Sequence, residues 1–275
     1  MSAINVDFVG QFGNQLFCHT IAKILAARTG LDYQPPHHFL DRRGSIVRWN
    51  GPELFTMSAT PGSIVQDTKP ITKNCGHWLN LDDFNNATSI HLRYGYYQHY
   101  CLYQPYKDVI RNDWLRLQTP FVKTDPDAVY VHIRRQDYCP PRNTREAGIA
   151  TTLDELAQCL TYFPDAKRMV VCTDATRDPW HQELHKIGMP WSMSGGAWDQ
   201  DLLVLLSCDN LLMCQSTYSW WAGFLGRAQR IVCPLSPNTL WWYGKQSGSP
   251  PTQGDYPNLI VDDEPERWIW VNECY

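Results

Sequence analysis

A cluster of charged side chains ends the apolar run 129–133 and continues to Asp137. If this run forms a strand, alternation places Tyr130, His132 and Arg134 on one face and the aliphatic residues on the other. A guanidinium donates paired hydrogen bonds to phosphate oxygens, and each charge-assisted bond contributes about 1.5–3 kcal/mol. Arg134 is therefore a candidate for holding a diphosphate. An Arg–Asp ion pair that closes a turn is the structural alternative.

A second polar segment, residues 214–221, follows the apolar run 211–213 and opens a predicted helix. Hydroxyl and N–H groups at a helix N-terminus bind anions without any basic side chain. Ordinary N-capping by Ser216 is the alternative. Two anion-competent segments at the carboxyl ends of strands in one sheet favour a binding function for both.

Metal and zinc-protease chemistry have weaker signals. The Asp-x-Asp pairs are at 125–127 and 199–201; the first precedes its strand and the second opens a helix, so both are predicted to be turns or caps. In residues 181–185, HQELH, Glu183 occupies the wrong position for the HExxH motif. The hydrolase, P-loop and dinucleotide-binding motifs do not occur in the sequence.

Periodicity predicts the elements that position these clusters. At the start, it predicts a strand at 4–9, a glycine turn at 10–13 and a helix at 14–28. A further helix is expected at 105–117, and residues 119–127 contain the best domain boundary, giving domains 1–122 and 123–275. Strands are then predicted at 128–133, 167–172, 210–213, 230–233 and 259–261, and helices at 152–162, 179–187, 199–207 and 217–225. Repeated strand–helix units predict an α/β fold with a parallel sheet, whose ligands bind beyond the strands' carboxyl ends.

Composition limits the classes of protein. The chain has 275 residues and a net charge of −4, which is too balanced for a nucleic-acid carrier. No apolar run of membrane-spanning length and no leader-like start is evident, so a cytoplasmic location is expected. The 10 cysteines show no CxxC spacing and are predicted to be mostly buried thiols. The 12 tryptophans could stack on sugar rings, but core filling is the favoured role for most of them.

Four blocks resemble, in the same order, motifs of the inverting α-1,2-fucosyltransferases, which are distantly related to the α-1,6- and protein-O-fucosyltransferases. They are GQFGNQLF at 10–17, GYYQ at 95–98, HIRRQDY at 132–138, and the pair formed by DL at 201–202 and STYSWW at 216–221. The HIRRQDY block is similar to the family's HxRRGDY and is the most diagnostic. The sequence departs from the family pattern at Gln136, where glycine is usual, and at Gln215, where asparagine is usual.

The resemblance implies a two-domain glycosyltransferase fold of the B type, with a Rossmann-like C-terminal domain that binds GDP-fucose, and no cofactor or essential metal. Arg134 is then expected to contact the diphosphate, with His132 and Asp201 near the guanine nucleoside. The full expected donor-binding set is His132, Arg134, Arg135, Asp201, Ser216, Thr217, Tyr218 and Ser219. A glycan acceptor is expected near Asn14, Gln15 and Tyr97.

In the implied reaction, an acceptor hydroxyl attacks the anomeric carbon as GDP departs through an oxocarbenium-like state. Donors that hold the leaving diphosphate more tightly in the transition state accelerate this step, a task assigned to Arg134. Asp137 is the first candidate for a general base and Glu146 the second, although a loose transition state needs little base assistance. Two alternatives stay open: transfer of another sugar from a nucleotide diphosphate, and a non-catalytic carbohydrate-binding module.

Overall fold

The computed structural model describes residues 3–36, 38–40, 46–48, 51–57, 69–74, 78–93, 95–135, 151–174, 179–235 and 258–272. The chain divides into two compact units: Met1–Pro120 with Tyr243–Leu259, and Phe121–Trp242 with Ile260–Tyr275. The expected second domain, 123–275, is thus interrupted. Asn258 shows why, because its backbone exchanges hydrogen bonds with Gln98 and Tyr100 of the first unit. Local sequence patterns do not reveal such a return of the chain.

The first unit contains a parallel three-stranded sheet and two small antiparallel pairs. Its strands are β1 (Ile4–Val6), β2 (His38–Leu40), β3 (Ile46–Arg48), β4 (Phe55–Thr56), β5 (Lys69–Asn74), β6 (Ala87–Arg93) and β7 (Arg116–Leu117). The parallel sheet has the order β1-β6-β5, while β2 pairs with β3 and β4 with β7. The first strand is therefore shorter than the predicted 4–9.

The helices of this unit are α1 (Phe12–Thr29), α2 (Gly51–Leu54) and α3 (Lys107–Val109). Most of α1 is buried, and the helix ends at Gly30, whose φ of 70° is the left-handed conformation that glycine adopts without strain. The helix predicted at 105–117 differs from the structure. Residues Gln104–Tyr106 form a 3-10 turn before α3, and Ile110–Trp114 continue from it as a π-helix.

The second unit is built on a parallel six-stranded sheet. Its strands are β8 (Ala128–Ile133), β9 (Arg168–Thr173), β10 (Trp191–Met193), β11 (Asn210–Leu212), β12 (Arg230–Leu235) and β13 (Trp268–Asn272), in the order β10-β9-β8-β11-β12-β13. The order reverses direction between β8 and β11, as in a Rossmann sheet. The predicted α/β class with a Rossmann-like C-terminal sheet is confirmed. The strand expected at 259–261 is wrong, and β10 and β13 were not predicted.

The described part of this unit also contains the α-helices α4 (Leu153–Leu160), α5 (Trp198–Ser207) and α6 (Thr217–Leu225) and the 3-10 helix Pro179–Ile187. The expected capping box of α4 is present, since Thr152 accepts from the Glu155 N–H and Glu155 accepts from the Thr152 N–H. Val129, Val131 and Ile133 of β8 lie in one apolar cluster with Leu156 of α4. The strand alternation predicted for residues 129–133 is confirmed.

Aromatic side chains fill the region behind α6. Trp220 stacks on Phe224 with ring centroids 4.9 Å apart and contacts Trp221 edge-to-face at 5.0 Å. Trp220, Trp221 and Trp268 are all buried, which confirms a core role for them. The described cysteines are all free thiols, and each of them except Cys101 is buried, as expected.

Candidate functional site

The site lies at the carboxyl ends of β8 and β11, where the strand order reverses. Leu212, the last residue of β11, pairs with Val131 of β8. Met213, which follows β11, therefore lies beside His132, near the carboxyl end of β8. Loops at such a reversal diverge to opposite faces of the sheet and leave a crevice in which ligands of α/β sheets bind. The two predicted anion-binding segments therefore lie on neighbouring strands.

His132 connects the two segments. Its Nδ1 lies 3.3 Å from Sγ of Cys214, and its ring packs against Tyr218 with centroids 5.0 Å apart. Burial raises the pKa of Cys214 to about 12, so the thiol keeps its proton at neutral pH. The ring of neutral His132 carries one proton, on either nitrogen, since the thiol can donate to Nδ1 or accept from it.

We expect this buried imidazole to make the protein acid-sensitive. Burial, assisted by the positive charge of Arg134, lowers the pKa of His132 from 6.5 to about 3. Below about pH 6.5, His132 is protonated in the unfolded chain, but in the folded chain it stays neutral until about pH 3. The free energy of unfolding therefore falls as the pH falls through this window. The loss is at most about 1.4 kcal/mol per pH unit.

Denaturant unfolding of the wild type and of His132→Asn between pH 7 and pH 4.5 measures this contribution. The free energy of unfolding of His132→Asn should depend less steeply on pH than that of the wild type. Equal slopes in the two proteins would contradict the assigned neutral state of His132.

Arg134 is the first residue after β8 and is partly exposed. Its backbone N–H donates to Sγ of Cys214, which ties the end of β8 to the segment before α6. The guanidinium is also close enough to lower the pKa of His132 through its charge. The structure thus places the Arg134 charge next to the imidazole of His132 and the thiol of Cys214.

The start of α6 combines a capped helix end with polar side chains. Ser216 is the N-cap, and its Oγ accepts from the N–H of Tyr218 at 3.3 Å. Ser219 is fully buried, and its hydroxyl contacts the carbonyls of Cys214 and Ser216 at 3.2 Å. Ser219 therefore shapes this turn from within, while Thr217 and Tyr218 begin the helix. The capping role expected for Ser216 as the structural alternative is present.

Arg135 and Asp201 lie to the β9–β10 side of this crevice. The Arg135 guanidinium stacks over Trp180 at 4.6 Å from the ring centroid. The backbone N–H of Arg135 donates to Asp174 Oδ1 at 3.0 Å. Asp201 Oδ1 accepts from the hydroxyl of Ser194 at 2.5 Å.

The Asp201 carboxyl has further donors around it. The backbone N–H of Gly196 and the thiol of Cys172 also bond to it, while burial raises its pKa. Asp201 therefore orders the loop that precedes α5. Sequence reasoning missed these partners, since nothing in the local pattern links Cys172 or Ser194 to residue 201.

The expected acceptor residues belong to the first unit and are linked to one another by its loops. Asn14 Oδ1 accepts from Gln98 Nε2 at 2.8 Å, and Gln15 Nε2 donates to the carbonyl of Gly10 at 3.1 Å. Tyr97 is fully buried and has a φ of 52°, a conformation that non-glycine residues seldom adopt. The GQFGNQ and GYYQ blocks therefore meet in space.

Other predicted residues have structural partners or lie outside the described ranges. The Asp125 carboxylate accepts from Arg168 at 2.8 Å and from the backbone N–H of Asp127. The Asp127 carboxylate accepts from Lys167 at 2.6 Å. The Asp125–Asp127 pair therefore forms a turn, as predicted. Asp137, Glu146 and Gln136 fall within residues 136–150, which the structure does not describe.

The described ranges show neither a metal-binding cluster nor a membrane-spanning helix. They contain no group of three or more His, Cys, Asp or Glu side chains placed to hold a metal ion. Within the same ranges, no helix combines the length and the apolar character needed to cross a bilayer.

Comparison with known proteins places the chain in a family. The sequence profile of glycosyl transferase family 11 matches residues 80–238, more than half of the chain. The chain is similar in structure to POFUT1 in complex with GDP, with a TM-score of 0.47 and 11% identity over 84% of this chain and 97% of that one. For POFUT1 in complex with GDP-fucose the values are 0.45 and 12%, over 83% and 96%. A comparison with curated proteins gave no match.

The matched residues include both halves of the crevice, the end of β8 and the start of α6. The match confirms the resemblance to α-1,2-fucosyltransferases that the sequence blocks indicated. The chain belongs to glycosyl transferase family 11 and is a fucosyltransferase-like glycosyltransferase.

Proposed function

We propose that this protein transfers L-fucose from GDP-fucose to a hydroxyl group of a glycan, with inversion at the anomeric carbon and an α-1,2 linkage. The observation that carries the proposal is the cluster of Arg134, His132 and Cys214 at the carboxyl ends of β8 and β11, two residues before the N-cap of α6. A cation and a helix N-terminus at a strand-order reversal form a site for a diphosphate. Family membership supports the sugar-transfer chemistry.

Each group at the crevice has a defined task in this reaction. The Arg134 guanidinium neutralises charge that accumulates on the leaving GDP, and the N–H groups at the start of α6 hold the same phosphates. Neutral His132 offers its Nε2 to the donor as a hydrogen-bonding group without adding a charge. We assign donor binding also to Ser216, Thr217 and Tyr218. In the first unit, we assign Asn14 to the acceptor, with Gln15 and the buried Tyr97 shaping the loops around it. Asp137 is the proposed base.

We further propose that the reaction needs no metal ion. The Asp125–Asp127 pair supports this, since its carboxylates are committed to a turn and to Lys167 and Arg168. The charge that a divalent ion supplies to a nucleotide diphosphate in metal-dependent transferases is here assigned to Arg134 and the helix terminus. Arg135 and Ser219 take part in the same proposed site by ordering its walls.

The first test is release of GDP from GDP-fucose in the presence of a panel of glycan acceptors, with the product linkage determined by NMR. We expect an α-1,2-fucosylated product to form both with and without EDTA. Thermal shifts with GDP, UDP and dTDP identify the donor class, and GDP should stabilise the protein most. Stabilisation by UDP or dTDP alone would favour transfer of another sugar; stabilisation by no nucleotide would favour a carbohydrate-binding module.

A further inference from the structure

Trp198 is the first residue of α5 and differs from the other aromatic residues around the site. It is 41% exposed, whereas Trp220 and Trp221 are each 1% exposed. The short loop 194–197 connects the carboxyl end of β10 directly to Trp198, so this indole stands at the same edge of the sheet as Arg134. An exposed indole beside a crevice offers a flat face to a planar ligand.

The position of Trp198 relative to the phosphate-binding groups follows from the sheet and from Tyr218. In the strand order, β10 is two strands from β8, a spacing of about 9.5 Å across the sheet edge. The ring of Tyr218 packs on His132, and its hydroxyl donates to the backbone carbonyl of Trp198. One aromatic side chain therefore spans from the imidazole to the start of α5.

The backbone in front of Trp198 is held in place by buried polar contacts. Asp201 accepts from the Ser194 hydroxyl and from the Gly196 N–H. A Cβ on Gly196 would lie 2.8 Å from Asp201 Oδ1, so the carboxyl packs tightly beneath this glycine. Gly195, with a φ of 70°, makes the turn possible. Trp198 is thus presented from an ordered turn, and binding does not require that turn to be ordered first.

We propose that the indole of Trp198 is the platform on which the nucleobase of the sugar-nucleotide donor stacks. The inference rests on the proposed function, because that function places the diphosphate at Arg134 and the start of α6. A nucleoside attached to this diphosphate extends along the sheet edge, and the β9–β10 side carries the exposed indole. Stacking on an aromatic ring contributes about 1–3 kcal/mol per base and does not require a hydrogen bond to the base.

Calorimetric titration with GDP and with inorganic pyrophosphate separates base binding from phosphate binding. Trp198→Ala should weaken GDP binding by about 5- to 150-fold, the equivalent of one stacked base, and should leave pyrophosphate affinity within about 2-fold. Trp198→Phe should restore most of the GDP affinity. Quenching of indole emission by GDP should be smaller in Trp198→Phe than in the wild type, a readout that does not depend on catalysis.

Phe121→Ala is the matched control, because Phe121 is a similarly exposed aromatic residue of the same unit, at 43%, in the segment that precedes β8. It should bind both ligands as the wild type does. Equal losses of GDP and pyrophosphate in Trp198→Ala, or no loss of either, would overturn the stacking proposal. If Arg134→Ala loses affinity for both GDP and pyrophosphate while Trp198→Ala binds both as the wild type does, the stacking proposal is wrong and the proposed diphosphate site stands. If the wild-type protein binds neither ligand, the proposed function is wrong as well.

Discussion

Replacing Arg134 with alanine is expected to lower the rate of sugar transfer by about 10²–10³-fold, the usual effect of removing one preorganised donor from a developing anion. Lysine at this position should lose most of the activity too. The ammonium group keeps the charge but lacks the planar pair of donors that engages two phosphate oxygens at once. Steady-state kinetics with GDP-fucose measure both variants, and the loss should appear in kcat as well as in kcat/KM.

Arg168→Lys is a suitable control, since Arg168 begins β9 in the same sheet and bonds to Asp125 at the opposite, amino-terminal edge. It should keep wild-type turnover. Full activity in Arg134→Lys would remove Arg134 from its assigned role in supporting the leaving diphosphate.

Replacing Gly95 with alanine is expected to destabilise the first unit by about 3 kcal/mol or more, because overpacking of a filled core displaces side chains and backbone. A Cβ at this position would lie 2.3 Å from Cζ of Tyr97 and 2.5 Å from its hydroxyl oxygen. The Tyr97 ring is fully buried. The backbone carbonyl of Tyr97 accepts a hydrogen bond from the hydroxyl of Tyr103 at 2.5 Å, which holds the backbone of this residue in place. The ring therefore has no low-energy way to move. Denaturant unfolding measures the loss.

The same substitution in a Tyr97→Gly background isolates the clash. Glycine removes the ring and tolerates the positive φ of residue 97, so adding Gly95→Ala there should cost less than about 1 kcal/mol. If Gly95→Ala is equally harmful with and without the Tyr97 ring, the steric explanation is wrong. The comparison also tests whether the GYYQ block serves primarily to hold Tyr97 in its strained backbone conformation.

The sequence predicted best those elements whose signals are local. Strand β8 has the predicted bounds because its aliphatic residues alternate and a charged cluster ends it. Helix α4 follows from the capping box at Thr152, and α6 from the polar residues that precede a long apolar run. These patterns were enough to predict that the two segments proposed to bind an anion follow the neighbouring strands β8 and β11.

The missed features depend on contacts between distant segments. Strand β10 is three residues long and too short to show a period. In β13, WIWVN, the burial of Trp268 arises from packing against Trp220, a distant residue in the sequence. The bond between Cys214 and His132 joins residues 82 positions apart. The 3-10 geometry of Pro179–Ile187 also changes the HQELH segment, since residues four apart no longer share a face in that helix.

A crystal structure of the protein with GDP tests the central claim most directly. The account predicts the diphosphate between the Arg134 guanidinium and the first N–H groups of α6, with hydrogen-bond distances of about 2.7–3.2 Å. A diphosphate bound elsewhere on the chain, with Arg134 directed away from it, would contradict the account.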